Sequence, residues 1–217
     1  MNDAVARPSP IDFAAASRRS GLIAILRGVR ADEVVAIGRS LVDAGVGMIE
    51  VPLNSPDPFA SIAALTRDMG TDVLVGAGTV LTPDAAEDAV AAGARLLLAP
   101  NCDTAVIAAA KRLGVAAMPG VATVTEAFAA LAAGADALKL FPARELGSGT
   151  IGAWRAVLHP GTPIFAVGGV ADADFAAFVK AGAAGFGLGS SLYTPGDSAQ
   201  VVGERARRAV EAWRAAR

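Results

Sequence analysis

The chain has 217 residues, of which 53% are hydrophobic and 18% charged, and its 19 basic and 21 acidic residues give a formal net charge of −2. A chain of this length and apolarity fits one domain with a sizeable core. No run of Lys and Arg is interleaved with aromatic residues, which argues against a nucleic-acid partner.

The single cysteine, Cys102, cannot form an internal disulfide, and no second cysteine or group of histidines stands at metal-ligand spacing. We therefore expect a cytoplasmic protein without a metal site. The apolar segment 22–26 is too short for a signal-peptide core or a membrane span, so the sequence predicts no membrane association.

The first 20 residues are predicted to be an N-terminal extension, loose around Pro8 to Pro10 and able to form a short helix over 13–19. From residue 21 onward, a glycine precedes an apolar run eight times. These glycines, 20 to 27 residues apart, are Gly21, Gly45, Gly70, Gly93, Gly114, Gly134, Gly161 and Gly182. Such regular spacing indicates a repeat.

Each interval has room for a strand of about five residues, a turn and a helix of about ten to twelve residues. Helix starts are visible where Thr82 precedes Pro83 and Asp84, where Glu126 follows Thr125, and in the acidic segment 172–174. The sequence therefore predicts the α/β fold class, with residues 21–217 forming a single (β/α)8 TIM barrel. A doubly wound open sheet is the alternative, although it does not require so even a repeat.

Polar residues and glycines stand where the predicted strands end, the rim on which such barrels carry their chemistry. In chain order they are Arg27, Glu50, Asn54, Thr79, Asn101, Thr123, Lys139, Gly168, Gly169, Gly189 and Ser190.

Lys139 stands in the middle of an apolar strand, where burial would lower the pKa of its amine and make it a nucleophile toward a ketone. Glu50 is a second ionisable residue in an apolar strand, and the two together suggest a proton shuttle beside a Schiff base. The alternatives are a lysine that reaches solvent at a strand end and a structural ion pair between the two residues.

Arg27 could hold a carboxylate in a two-pronged contact, and the hydroxyl of Thr79 could donate to the same group. Arg27 could equally be a surface arginine, Thr79 a helix cap and Asn54 a turn residue. Glycine-rich ends of the last two strands, 168–169 and 187–189, fit a phosphate site completed by the N-termini of the helices that follow.

Two other reactive residue types are not expected to be catalytic. His159 lies in a predicted turn between a helix and the next strand, at the opposite rim of the barrel. Cys102 follows a strand end on the active rim, but no histidine stands where it could activate the thiol.

Taken together, these segments resemble the keto-deoxy-phosphogluconate and keto-deoxy-phosphogalactonate aldolase family, a group of class I aldolases. The matching motifs are IAILRG (23–28), IEVPLNSP (49–56), GAGTVL (76–81), APN (99–101), PGVAT (119–123), LKLFPA (138–143), VGGV (167–170) and LGS (188–190).

The resemblance implies that Lys139 forms an imine with the 2-keto acid and that Glu50 moves protons through a bound water. It further implies substrate contacts, with the carboxylate held by Arg27 and Thr79, the phosphate by Gly168, Gly169, Gly189 and Ser190, and other parts of the substrate by Asn54, Pro142 and Val167. Proteins of this family are homotrimers that need no metal or organic cofactor, which is what we expect here.

Asn54 and Val167 differ from the phosphogluconate branch, which carries an arginine and a threonine at these positions, and they resemble the phosphogalactonate branch. We therefore expect cleavage of 2-dehydro-3-deoxy-6-phosphogalactonate to pyruvate and glyceraldehyde 3-phosphate. The C4 epimer as substrate, or tolerance of both epimers, is the nearest alternative. A phosphosugar isomerase or epimerase, and a barrel that binds a phosphosugar without catalysis, are alternatives of other classes.

Overall fold

The structure is a computed structural model that describes residues 13–70 and 73–217. The predicted loose segment around Pro8 to Pro10 lies outside the described residues. The described chain begins with a helix, α1, over Phe13–Arg19.

Strands and helices alternate along the rest of the chain. The strands are β1 (Leu22–Ile25), β2 (Met48–Pro52), β3 (Leu74–Gly78), β4 (Leu96–Leu98), β5 (Ala116–Met118), β6 (Gly120–Val121), β7 (Leu138–Leu140), β8 (Ile164–Val167) and β9 (Gly185–Leu188). The helices are α2 (Val34–Asp43), α3 (Pro58–Met69), α4 (Pro83–Ala91), α5 (Thr104–Arg112), α6 (Val124–Ala132), α7 (Ala143–Leu146), α8 (Ser148–Arg155), α9 (Phe175–Lys180) and α10 (Ala199–Ala216).

The strands form one parallel sheet in the order β5-β4-β3-β2-β1-β9-β8-β7-β6. Its two ends, β5 and β6, are consecutive pieces of chain separated by Pro119, which has no N–H with which to continue a ladder. The first piece pairs with β4 and the second with β7, so the sheet curves into a nearly closed barrel. The predicted (β/α)8 barrel is confirmed, and its fifth strand is divided in two. The open-sheet alternative is wrong.

Alternate residues of each strand point into the barrel, and most of these inward residues are apolar. The inward set comprises Ile23, Ile25, Met48, Leu74, Leu96, Leu98, Met118, Ala137, Phe165 and Val167. At the end where the strands begin, Phe13 of α1 packs on Phe165 with ring centroids 6.1 Å apart. The intervening residues, among them Ile49 and Val75, point outward and pack beneath the helices.

Helix capping explains where two of the helices start. Thr82 caps α4 by accepting a hydrogen bond from the backbone N–H of Ala85 at 3.1 Å, as its sequence predicts. α6 is capped by Thr123, whose hydroxyl accepts from the backbone N–H of Glu126, while the Glu126 carboxylate accepts from that of Thr123. Glu126 therefore lies in the first turn, as expected, and Thr123 is a capping residue at the strand end.

Candidate active site

A cavity of about 560 Å³ opens where the strands end. Of the predicted site residues, it is lined by Arg27, Thr79, Lys139, Val167, Gly168, Gly169, Gly189 and Ser190. Glu50, Asn54 and Pro142 are not among the lining residues, and neither are Asn101 and Thr123. The fold thus gathers residues from β1, β3, β7, β8 and β9 around one space.

Lys139 points into the barrel, because Leu138 and Leu140 on either side of it belong to the outward-facing core. Only 5% of the residue is exposed, so it is not a lysine that reaches solvent at a strand end. Its Nζ lies 5.0 Å from the centroid of the Phe141 ring. Burial lowers the pKa of Lys139; the charge of Glu50 opposes this shift and that of Arg27 adds to it.

Glu50 points inward from β2, where its ladder partners are Ile25 on β1 and Gly76 on β3. It is 1% exposed, and burial raises the pKa of its carboxyl against the opposing charges of Lys139 and Arg27. None of the ion pairs that the structure describes joins Glu50 to Lys139. Within the described chain, Glu50 Oε2 is also buried without a hydrogen-bond partner. Among the described residues, Glu50 and Lys139 therefore do not form the direct structural ion pair that was the alternative.

Two glycines of β3 leave space for neighbouring groups, and Gly78 leaves it for this carboxylate. A Cβ atom at Gly78 would collide with Glu50 Oε1, and one at Gly76 would lie 2.8 Å from the carbonyl oxygen of Leu96. The following residue, Thr79, has a φ of 58°, an uncommon conformation for a residue with a side chain. Since Thr82 caps α4, the hydroxyl of Thr79 is not used as a helix cap.

Arg27 and Asn54 connect the loops after β1 and β2. Arg27 Nη1 donates to Asn54 Oδ1 at 2.6 Å, and nearby the backbone N–H of Gly28 donates to Ser55 Oγ at 2.9 Å. Asn54 lies exposed in the turn after β2. It can therefore act on the site by orienting Arg27.

The end of β8 turns sharply, with φ values of 99° at Gly168 and 71° at Gly169 that favour glycine. A Cβ atom at Gly168 would lie 3.0 Å from the Phe141 ring and 3.3 Å from Cα of Pro142, so Pro142 packs beneath this turn.

After the last strand, β9, the sequence predicted a helix whose N-terminus would complete the phosphate site. In the structure, Ser190 and the residues after it form a turn, and α10 begins only at Ala199.

Several cavity-lining residues were not identified from the sequence, among them Phe141, Arg144 and Tyr193. Phe141 lies within the LKLFPA motif that carries Lys139, and Arg144 directly follows it, so their closeness to Lys139 in the sequence was the signal that could have identified them. Tyr193 donates from its hydroxyl to Glu33 Oε1 at 2.9 Å, across 160 positions of chain. No local pattern indicates a partner so distant in sequence.

His159 and Cys102 lie outside the cavity lining. The backbone N–H of Gly161 donates to His159 Nδ1 at 3.1 Å in the turn before β8. Burial raises the pKa of the Cys102 thiol, which makes it a poorer nucleophile.

Within residues 13–70 and 73–217, no group of three or more His, Cys, Asp or Glu side chains could hold a metal ion. None of the described helices is long and apolar enough to cross a membrane.

Comparison with known proteins relates the chain to one enzyme family. The family described as "Aldolase: KDPG and KHG aldolase" matches residues 14–202. The 2-dehydro-3-deoxy-6-phosphogalactonate aldolase of Escherichia coli K12 is 45% identical over 195 residues, which cover 90% of this chain and 95% of that protein. A protein of Rhizobium meliloti named "Probable 2-dehydro-3-deoxy-6-phosphogalactonate aldolase" is 48% identical over 185 residues, which cover 85% of this chain and 87% of that protein.

Solved structures give the same result. A structure described as native KDPGal superposes with a TM-score of 0.88 at 45% identity, covering 90% of this chain and 95% of that one. A protein cage designed by fusing symmetric oligomeric domains superposes with a TM-score of 0.89 at 44% identity, covering 91% of this chain and 73% of that one.

Proposed function

Since the chain belongs to the KDPG and KHG aldolase family, we propose that it reversibly cleaves 2-dehydro-3-deoxy-6-phosphogalactonate to pyruvate and D-glyceraldehyde 3-phosphate through a Schiff base on Lys139. One observation carries the mechanism: Lys139 is 5% exposed, its pKa is lowered by burial, and it still lines the cavity. Such an amine is neutral at lower pH than a solvated lysine.

The neutral amine attacks the C2 ketone, and loss of water from the adduct gives a protonated imine. The C3–C4 bond then breaks, its electron pair moves toward the imine nitrogen, and the C4 hydroxyl loses its proton as the aldehyde forms. Glu50 accepts that proton, with a water molecule between them, because Glu50 lies beneath the cavity wall. Glu50 returns that proton through the water to C3 of the enamine, and addition of water to the resulting imine then releases pyruvate and the free amine of Lys139. The iminium serves as the electron sink, so the proposal requires no metal or organic cofactor.

The two charged ends of the substrate fit different parts of the cavity. Arg27, held by Asn54, and Thr79 would bind the carboxylate, since a guanidinium and a hydroxyl both donate hydrogen bonds to it. At the other end, the backbone at Gly168 and Gly169, together with Gly189 and Ser190, would bind the phosphate.

The choice of C4 epimer rests on Val167 and on the comparisons. Val167 lines the cavity on β8 with an apolar side chain, so it cannot donate a hydrogen bond to the substrate. The relatives named for the galactonate epimer are 45% and 48% identical, whereas the KHG/KDPG aldolase of Escherichia coli K12 is 26% identical. Comparing kcat/KM for the two C4 epimers tests the choice, and a preference for the gluconate epimer would reverse it.

We also propose that the enzyme is a cytoplasmic homotrimer. Apolar side chains are exposed just before α4, at Leu81 (48%), and on α6, at Val124 (37%) and Phe128 (50%). Burial of such residues between subunits is a common reason for their exposure on one subunit. The cytoplasmic location rests on the sequence, in which the one cysteine cannot pair within the chain.

Reductive trapping tests the central step. Incubation with pyruvate and borohydride should attach one pyruvate-derived group to Lys139, located by peptide mass spectrometry. Lys139→Met should abolish both the adduct and the cleavage activity, whereas Lys180→Met, which removes an exposed lysine on α9, should change neither. Full activity of Lys139→Met would rule out this mechanism.

A further inference from the structure

Arg144 lies where the proposed phosphate end of the cavity is built. It is an exposed residue of α7 that lines the cavity, and its backbone N–H donates to the carbonyl oxygen of Gly168 at 3.0 Å. Its side chain passes over the next glycine, since a Cβ atom at Gly169 would lie 2.9 Å from both Cβ and Cδ of Arg144. Arg144 is therefore attached to the turn after β8 by its backbone and by its aliphatic stem.

The guanidinium of Arg144 has no hydrogen bond or ion pair with any residue that the structure describes, unlike those of Arg30, Arg39 and Arg205, which each pair with a carboxylate. Arg27, the other arginine of the cavity, already donates to Asn54. An unpaired guanidinium at a concave surface is suited to an anionic ligand, because its planar fork matches a phosphate or carboxylate.

The charges around the cavity favour a ligand with more than one negative group. Its described lining includes three basic residues, Arg27, Lys139 and Arg144, and no acidic one. Besides Lys139, two arginines supply positive charge, Arg27 on the loop after β1 and Arg144 on α7. A substrate with a carboxylate at one end and a phosphate at the other supplies a partner for each.

We propose that Arg144 binds the phosphate of the substrate through bidentate, charge-assisted hydrogen bonds, beside the backbone of Gly168 and Gly169. The inference rests on the proposed function, and it makes Arg144 a determinant of the preference for phosphorylated over unphosphorylated sugar acids. The phosphate receives neutral backbone donors from the glycine turn and a full positive charge from Arg144. The carboxylate end remains with Arg27.

Two substitutions at one position separate charge from packing. Arg144→Met keeps an unbranched aliphatic stem over Gly169 and removes the charge, and Arg144→Lys keeps a charge without the planar fork. With the 6-phosphorylated substrate, kcat/KM of Arg144→Met should fall about ten- to a hundredfold, the range of a hydrogen bond to a charged group. Arg144→Lys should lie between this variant and the wild type.

The unphosphorylated sugar acid should be cleaved equally well by wild type and Arg144→Met. Inorganic phosphate, used as a competitive inhibitor, should bind Arg144→Met more weakly by a similar factor, and higher salt should narrow the difference between the enzymes. As a matched control, Arg208→Met removes an exposed arginine of α10 outside the cavity lining and should leave all these values unchanged.

An equal loss on both substrates would overturn the proposal by showing that Arg144 supports the fold or the chemistry. Unchanged kinetics and phosphate inhibition in Arg144→Met would also overturn it. Pyruvate trapping on Lys139 keeps the two proposals distinguishable. If wild type and Arg144→Met both form the adduct while phosphate binding is unaltered, only the role of Arg144 fails. If the wild type forms no adduct, the proposed function fails.

Discussion

The carboxylate of Glu50 occupies the space in which Gly78 would carry a side chain. Gly78→Ala should therefore displace Glu50 and lower kcat about a hundredfold, the effect of moving a catalytic group by about 1 Å. Stability should change little, because the colliding atom is the end of a side chain that can move. Steady-state kinetics and thermal unfolding measure the two effects.

Gly149→Ala is the matched control for this change. Gly149 lies in α8, and a Cβ atom there would meet nothing within 4 Å. This variant should keep full activity and gain about 0.5–1 kcal/mol in free energy of unfolding, because alanine is a better helix former than glycine. Full activity of Gly78→Ala would show that catalysis does not depend on the position of Glu50.

The lowered pKa of Lys139 predicts how imine formation depends on pH. Only the neutral amine attacks a ketone, so the rate of trapping with pyruvate and cyanoborohydride should rise with pH through the pKa of Lys139. Because burial lowers that pKa, the rate should level off below 10.5, the ordinary value for lysine. A rate that continues to rise to that pH would contradict a desolvated amine.

Val167→Thr should move the preference between the C4 epimers toward the gluconate substrate. A hydroxyl at this cavity-lining position can hydrogen-bond the aldehyde oxygen, and the ratio of kcat/KM values should shift about tenfold. The variant should also lose about 1–3 kcal/mol of stability, because Val167 is 3% exposed. Val75→Thr, at a buried position that faces away from the cavity, should lose similar stability and leave the ratio unchanged.

Tyr193→Phe should weaken the phosphate end of the site. The Tyr193 hydroxyl joins the turn after β9 to Glu33 at the start of α2. Burial raises the pKa of the phenol, and the hydrogen bond to Glu33 raises it further. Loss of the bond should raise KM for the phosphorylated substrate about two- to tenfold with kcat nearly constant. Glu33→Gln, which retains an acceptor, should have a smaller effect. A fall in kcat alone would contradict a positioning role.

Phe128→Glu should separate the proposed trimer into smaller species. Phe128 is half exposed on α6, and a buried carboxylate between subunits would be costly. Sedimentation velocity or light scattering should report a lower mass. Val157→Glu places the same charge at an exposed apolar residue beyond the end of α8 and should leave the mass unchanged. An unaltered mass for Phe128→Glu would show that α6 is not in the interface.

The sequence by itself predicted the barrel and two ionisable residues in apolar strands, and the structure decided that both are buried. Glycine spacing marks each strand and helix unit, and Lys139 and Glu50 stand out because their neighbours in the strand are apolar. Both signals are local, so no knowledge of distant contacts was needed.

Only the tertiary structure decided how the loops complete the site. The structure shows that the fifth strand is divided at Pro119 and that its two pieces pair with different neighbours. Three contacts join segments that are distant in sequence: Arg27 with Asn54, Tyr193 with Glu33, and Arg144 with Gly169. A loop side chain has no periodicity that assigns it to one face. Its direction is set by packing against neighbours that the fold brings together. The strand-end residues of this cavity were therefore predictable, whereas the loop contacts of Asn54, Arg144 and Tyr193 were not.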